Sequence, residues 1–154
     1  ANYSYLLAEI TDEFLLVDTN FPVSERVVED VNGHSLPKSP KNKLTLAATY
    51  YLDTEIGDFN FSADWSYFSK QNTSFFERSI YEIESYAISG ARVAFTPSDN
   101  SFSAILGVSN ITDEDVPINS LAISGVENNF SRIEGPAAPR VLYLQLTKTF
   151  GKIR

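Results

Sequence analysis

The sequence predicts an all-β chain whose six antiparallel strands form part of a transmembrane β-barrel. Three observations carry that prediction. Stretches of about ten residues alternate apolar and polar side chains, the period of a strand with two unlike faces. The connections between them alternate between very short (Asp53–Gly57, Pro97–Asn100) and very long (Thr11 to Lys43, Ser69 to Glu84, Ile111 to Arg140). Tight turns at one end and long loops at the other are the wiring of a membrane barrel. Finally, no run of about 18 apolar residues is present, which excludes a spanning helix but not a spanning strand of ~9–11 tilted residues.

The strands are expected at about 2–11, 43–52, 58–69, 84–96, 101–111 and 140–150. The first is untidy: Tyr3, Tyr5 and Leu7 share a face, yet Leu6, Ala8 and Ile10 opposite them are also apolar. The second sets Leu44, Leu46, Ala48, Tyr50 and Leu52 against Lys43, Thr45, Ala47, Thr49 and Tyr51. The third alternates most cleanly, with Phe59, Phe61, Ala63, Trp65 and Tyr67 opposing Asp58, Asn60, Ser62, Asp64 and Ser66. In the fourth, Ala87, Ala91, Val93 and Phe95 make the apolar face, and Tyr86, Ile88, Gly90 and Arg92 the other. Arg92 fixes that choice, because an arginine facing lipid at mid-depth costs ~2–4 kcal/mol. The fifth places Phe102, Ala104, Leu106 and Val108 together, and the sixth Leu142, Leu144, Leu146 and Phe150.

Alternation alone does not distinguish a barrel from a soluble β-sandwich, which also buries one face and wets the other. Loop asymmetry favours the membrane, as do aromatic residues near strand ends: Tyr50, Trp65, Tyr67, Phe95 and Phe150. Composition narrows the function classes. The net charge of −8, from 12 basic and 20 acidic residues, opposes nucleic-acid binding, which needs a basic footprint. Cysteine is absent, excluding disulfide scaffolds and thiolate metal sites. Methionine is absent too, so the chain reads as processed or as a portion of something longer.

No catalytic constellation is visible, and the chain is read as a non-enzyme without cofactor. His34, the single histidine, stands in a polar loop beside Gly33. Asp113-Glu114-Asp115 offers carboxylates that suit Ca²⁺ but lacks EF-hand spacing, so no metal site is assigned. The candidate substrate contacts are Tyr51, Asp64, Tyr86, Arg92 and Tyr143 on the polar face, and Arg132, the one base in residues 112–139. Asp64 and Arg92, on neighbouring strands, either pair or hydrate separately. The acidic loops, with six acids against three bases in residues 12–42, disfavour a highly anionic ligand.

Several segments resemble the C-terminal part of TonB-dependent outer-membrane receptors. Leu36-Pro37-Lys38-Ser39-Pro40-Lys41-Asn42-Lys43-Leu44 is similar to the family's proline-bearing approach to a strand. Ala63-Asp64-Trp65-Ser66-Tyr67-Phe68-Ser69-Lys70 resembles its aromatic strand end. Val108-Ser109-Asn110-Ile111-Thr112-Asp113-Glu114-Asp115 is similar to the box that closes the penultimate strand, with Val116 where an aromatic is usual. Gly135-Pro136-Ala137-Ala138-Pro139-Arg140-Val141-Leu142-Tyr143 resembles the entry to the last strand. Gly151-Lys152-Ile153-Arg154 follows Phe150, where such barrels commonly finish on an aromatic.

The resemblance implies that residues 1–154 are the last six of about 22 strands, in the bacterial outer membrane. It implies loops outside the cell, turns in the periplasm, and an N-terminal plug domain absent from this sequence. The implied function is energised uptake of a scarce nutrient such as a ferric siderophore, cobalamin or glycan. The implied partners are the remaining barrel and plug, a TonB-type periplasmic energy transducer and outer-membrane lipid, with no nucleic acid. A passive porin-type barrel and a soluble β-sandwich binding module are the alternatives.

Overall fold

The computed structural model describes residues 1–21, 23–115, 117–124, 130–136, 138–148 and 150; for Glu25, residues 117–124 and 130–134, and Pro136 only the backbone is described. Val116 and the 151–154 tail lie outside the described residues. The strands, in chain order, are β1 (Asn2–Tyr5), β2 (Leu15–Val17), β3 (Val28–Asp30), β4 (Asn42–Thr54), β5 (Gly57–Phe68), β6 (Gln71–Asn72), β7 (Glu82–Ile83), β8 (Tyr86–Pro97), β9 (Phe102–Ser109), β10 (Pro117–Ser124), β11 (Phe130–Pro136) and β12 (Val141–Lys148). Six of them form one sheet in the order β1-β4-β5-β8-β9-β12, an antiparallel meander. The other six make two-stranded hairpins, one within each long connection: β2–β3, β6–β7 and β10–β11.

Register keeps the two faces distinct across the whole sheet. Leu46 pairs with Trp65, Tyr50 with Phe61, Phe61 with Val93, Val93 with Leu106, and Leu106 with Leu144. The apolar sets of five strands are thus continuous, since a pleated strand sends alternate residues to one side. Thr49, Ser62, Arg92, Gly107 and Tyr143 form a matching row on the polar face. No second layer covers the apolar side among the described residues: Leu46 is 43% exposed, Phe61 41%, Leu106 54% and Leu144 65%. A sandwich requires these residues to meet in a dry interior, and they do not.

Aromatic rings gather at both ends of the apolar face. Trp65 and Tyr67 stack with centroids 6.2 Å apart toward the long loops. Toward the turns Phe59 packs on Phe95 at 4.6 Å, and Tyr50 on Phe61 at 6.4 Å. The row Ala48–Ala63–Ala91 runs between them. Two aromatic bands around a smoother apolar belt match the girdles of a membrane barrel.

The turns are built from a few specific groups. The β4–β5 hairpin closes on Thr54 opposite Gly57, with the Thr54 hydroxyl donating to the Gly57 carbonyl at 2.6 Å. Gly57 has φ 141° and lies so close to β8 that a Cβ would overlap the Thr96 carbonyl oxygen. Only glycine meets both demands. In the β8–β9 turn Asn100 adopts φ 52°, a left-handed conformation that asparagine tolerates.

The first strand departs from its expected length. Regular pairing with β4 ends at Tyr5, not near residue 11. Residues 6–10 instead follow 33–41 through single bonds: Leu6 N–H to Lys41 O, Leu36 N–H to Ala8 O and Ile10 N–H to His34 O. Pro37 and Pro40 lack N–H donors and Lys38 has φ 55°, so this partner segment cannot sustain a ladder. The doubly apolar pattern of strand one has the same origin. Ile10 packs with Leu16 and Ile80 against the cluster of Val31, Phe76 and Tyr81 in the loop layer.

Candidate functional site

The loop layer is organised around one arginine. Arg78 donates to the Asp18 carboxylate and, at 2.6 Å, to Glu29, joining the second long connection to the first. Its guanidinium lies 4.7 Å from the Phe21 ring centroid and 4.9 Å from that of Phe76. Asp18 is 3% exposed and also accepts from the Tyr81 hydroxyl at 2.7 Å. The Asn20 amide donates to that hydroxyl at 3.2 Å. A buried carboxylate is sustained by such charge-assisted bonds. Burial, reinforced by Asp18, pushes the Tyr81 hydroxyl up to about 12.

Further bonds tie the same connections together. The Ser35 N–H donates to Glu77 at 2.9 Å, holding that carboxyl below its ordinary value. The Lys38 N–H donates to the Asn72 carbonyl at 2.8 Å. Lys41 pairs with Glu9 at 3.6 Å, and Lys70 with Glu82. Many loop acids are thereby engaged within the fold.

Asp113 is engaged by the residue that leads into β12. Its carboxylate accepts from the Arg140 N–H at 2.9 Å and faces the Arg140 guanidinium at 3.6 Å. Buried Asn110 bonds the Glu114 carbonyl at 2.9 Å, the Glu114 N–H at 2.9 Å and the Ala138 carbonyl at 3.2 Å. The box is a clasp that aims the chain into β12. No group of three or more His, Asp or Glu suited to a metal occurs among the described residues.

Five of the sequence-predicted contacts lie on the polar face. Asp64, Arg92 and Tyr143 line one hollow of 440 Å³ with Thr49, Ser62 and Gly90. Asp64 stands opposite Gly90, while Arg92 stands opposite Ser62 and Gly107. No ion pair joins Asp64 to Arg92 among the described contacts; both are exposed. The Tyr143 ring fills the space a Cβ on Gly107 would need, covering a glycine gap in the sheet. Tyr51 lies apart, opposite Asn60 near the turns. Tyr86 lies at the loop end, its ring 4.9 Å from Phe68. Arg132 belongs to β11, opposite Ala122, and its side chain lies outside the described residues. Sequence reading missed Arg78, Tyr81 and Lys43, because nothing local marks a loop arginine that meets an aspartate 60 positions away.

No family model matches the sequence, and no curated protein matches it. Solved structures do share its fold. The ferric preacinetobactin receptor BauA of Acinetobacter baumannii superposes with a TM-score of 0.56 at 16% identity, over 77% of this chain and 16% of that one. The ferric citrate transporter FecA in its unliganded form gives 0.54 at 26% identity, over 80% of this chain and 19% of that one. The chain therefore spans less than a fifth of either. The first is a receptor and the second a transporter. In fold, the six-stranded sheet is barrel wall of the TonB-dependent receptor type, the resemblance that its sequence motifs carry.

Proposed function

We propose that this chain is the C-terminal wall of an outer-membrane, TonB-dependent importer of a scarce nutrient such as a ferric siderophore, cobalamin or glycan. The apolar face of β4, β5, β8, β9 and β12 meets lipid, and the polar face looks into the lumen. The hairpin-bearing connections face outside the cell, and the short turns the periplasm. The outer edges of β1 and β12 continue into the rest of the barrel, since unpaired backbone in hydrocarbon costs several kcal/mol per group. A plug domain fills the lumen, with Asp64, Arg92 and Tyr143 as contacts for plug or substrate, and a periplasmic energy transducer acts on that plug.

One observation carries this reading: a continuous apolar face stays exposed, flanked by aromatic bands, in a chain whose long connections pack among themselves. The test is uptake by the native bacterium under iron, cobalamin or glycan limitation. Deleting the gene should abolish uptake of one such nutrient, and removing the energy transducer should have the same effect. Uptake that persists without the transducer identifies a passive barrel. A monodisperse, cooperatively melting product made without detergent identifies a soluble module.

A further inference from the structure

At the loop end of the polar face, one row crosses four strands: Ser4, Lys43, Phe68 and Tyr86. The Phe68 and Tyr86 rings stack at 4.9 Å with planes 20° apart, and the Lys43 ammonium sits 4.9 Å from the Phe68 centroid. They line a hollow of 400 Å³ with Leu6, Ile83 and Lys38. That volume lies within the range of about 300–1,000 Å³ usual for small-molecule sites.

The charge of this hollow opposes that of the chain. The protein carries −8 overall, yet the lining holds two lysines and no carboxylate. Two acids of the flanking segments are paired away from it, Glu9 with Lys41 and Glu82 with Lys70. Lys43 enters no ion pair among the described contacts, and its partner is a ring face. An exposed ammonium held over an aromatic ring, with no ion pair among the described contacts, is a poised anion receptor. The stacked pair beside it offers a flat apolar surface on which a conjugated ring can lie.

We propose that this hollow binds a small anion bearing a planar aromatic group, its carboxylate or phenolate against Lys43 and its ring on Phe68 and Tyr86. The proposal rests on the importer reading and names a ligand class for it. Inside the hollow the two lysines, with no carboxylate in the lining, set the near field, and the more distant loop acids are screened beyond a Debye length of about 10 Å.

The test uses the complete protein containing this chain, in lipid nanodiscs with empty discs as blanks, and isothermal titration with 2-naphthoate, neutral 2-naphthamide and cyclohexanecarboxylate. The naphthoate should bind at least about fivefold more tightly than either analogue. Lys43→Gln and Phe68→Leu should each remove that preference, Lys43→Arg should keep it, and Lys148→Gln at the far end of the wall should change nothing. Heat-modifiable gel mobility reports whether each variant has assembled. If a variant fails to assemble, the analogue comparison on the unmodified protein still decides. Equal affinity for acid and amide, no naphthoate binding, or binding blind to Lys43 overturns the proposal. Naphthoate binding with transducer-independent uptake overturns the importer reading instead and leaves this site standing.

Discussion

The wall and the loop layer of this molecule are folded by different means. In the wall the large apolar side chains lie outside, and the strands are held by ladder hydrogen bonds and cross-strand pairs. In the loop layer the order is reversed. Val31, Phe76, Tyr81 and Ile83, the buried hydrophobic residues among those described, all belong to the long connections. Asp18 is buried with them. The difference fits the proposed importer: lipid would cover the wall, whereas connections standing in water must build a small core of their own.

The sharpest way to break this comparison is to remove the arginine that joins the two connections. Arg78→Ala leaves the Asp18 charge buried without its guanidinium, a loss of about 3–5 kcal/mol for a broken buried pair. Hydrogen exchange should accelerate across residues 14–31 and 73–83 while β5 and β8 keep their protection. Acceleration in the wall would mean that the layers fold as one unit.

A charge placed on the wall comes next. Leu106→Arg should cost ~2–4 kcal/mol against lipid, read as lost assembly or lowered urea resistance in vesicles. Thr49→Arg, on the polar face of the same sheet, should be nearly silent. Equal effects would sink the assignment of faces.

Smaller again is Gly57→Ala, which forces a side chain into φ 141° and against the Thr96 carbonyl. We expect about 1–3 kcal/mol of destabilisation, centred on the β4–β5 turn and absent from the loop layer. A proteolysis pattern altered in the connections would contradict that separation.

The mildest perturbation is pH. The folded Tyr81 hydroxyl titrates at about 12 against an ordinary 10.0. Its contribution is therefore complete below pH 10 and lost as pH rises toward 12. Glu77 has the opposite sign: its carboxyl is held below the ordinary 4.5, so the Ser35 contact is complete above that value and fades as pH falls below it. Ultraviolet titration of tyrosinate should lose its latest group in Tyr81→Phe. A latest group unchanged in that variant rules out this origin.

Much of the wall was legible because its signal is local. A strand with lipid on one side and water on the other writes its two faces at every second residue, as β5 does from Phe59 to Tyr67. The first strand misled at its far half, where Leu6, Ala8 and Ile10 looked like a second apolar face. Ile10 in fact turns to the loop core, and the prolines opposite end the ladder. The β2–β3 and β6–β7 hairpins were not legible, since their strands are two or three residues long. Asp113 was weighed as a ligand on composition alone, and only geometry showed Arg140 occupying it.

The sequence by itself determined the strand order, the two faces and the turn positions, because period-two patterning and residues such as Gly57 and Asn100 act within a few positions of themselves. Tertiary structure decided that Arg78 meets Asp18 and Glu29, that Lys43 lies over Phe68, and that the connections share a core. Those contacts join residues 25 to 60 positions apart, and the closure of such distances is set by the assembled sheet, which brings the ends of β4, β5 and β8 side by side.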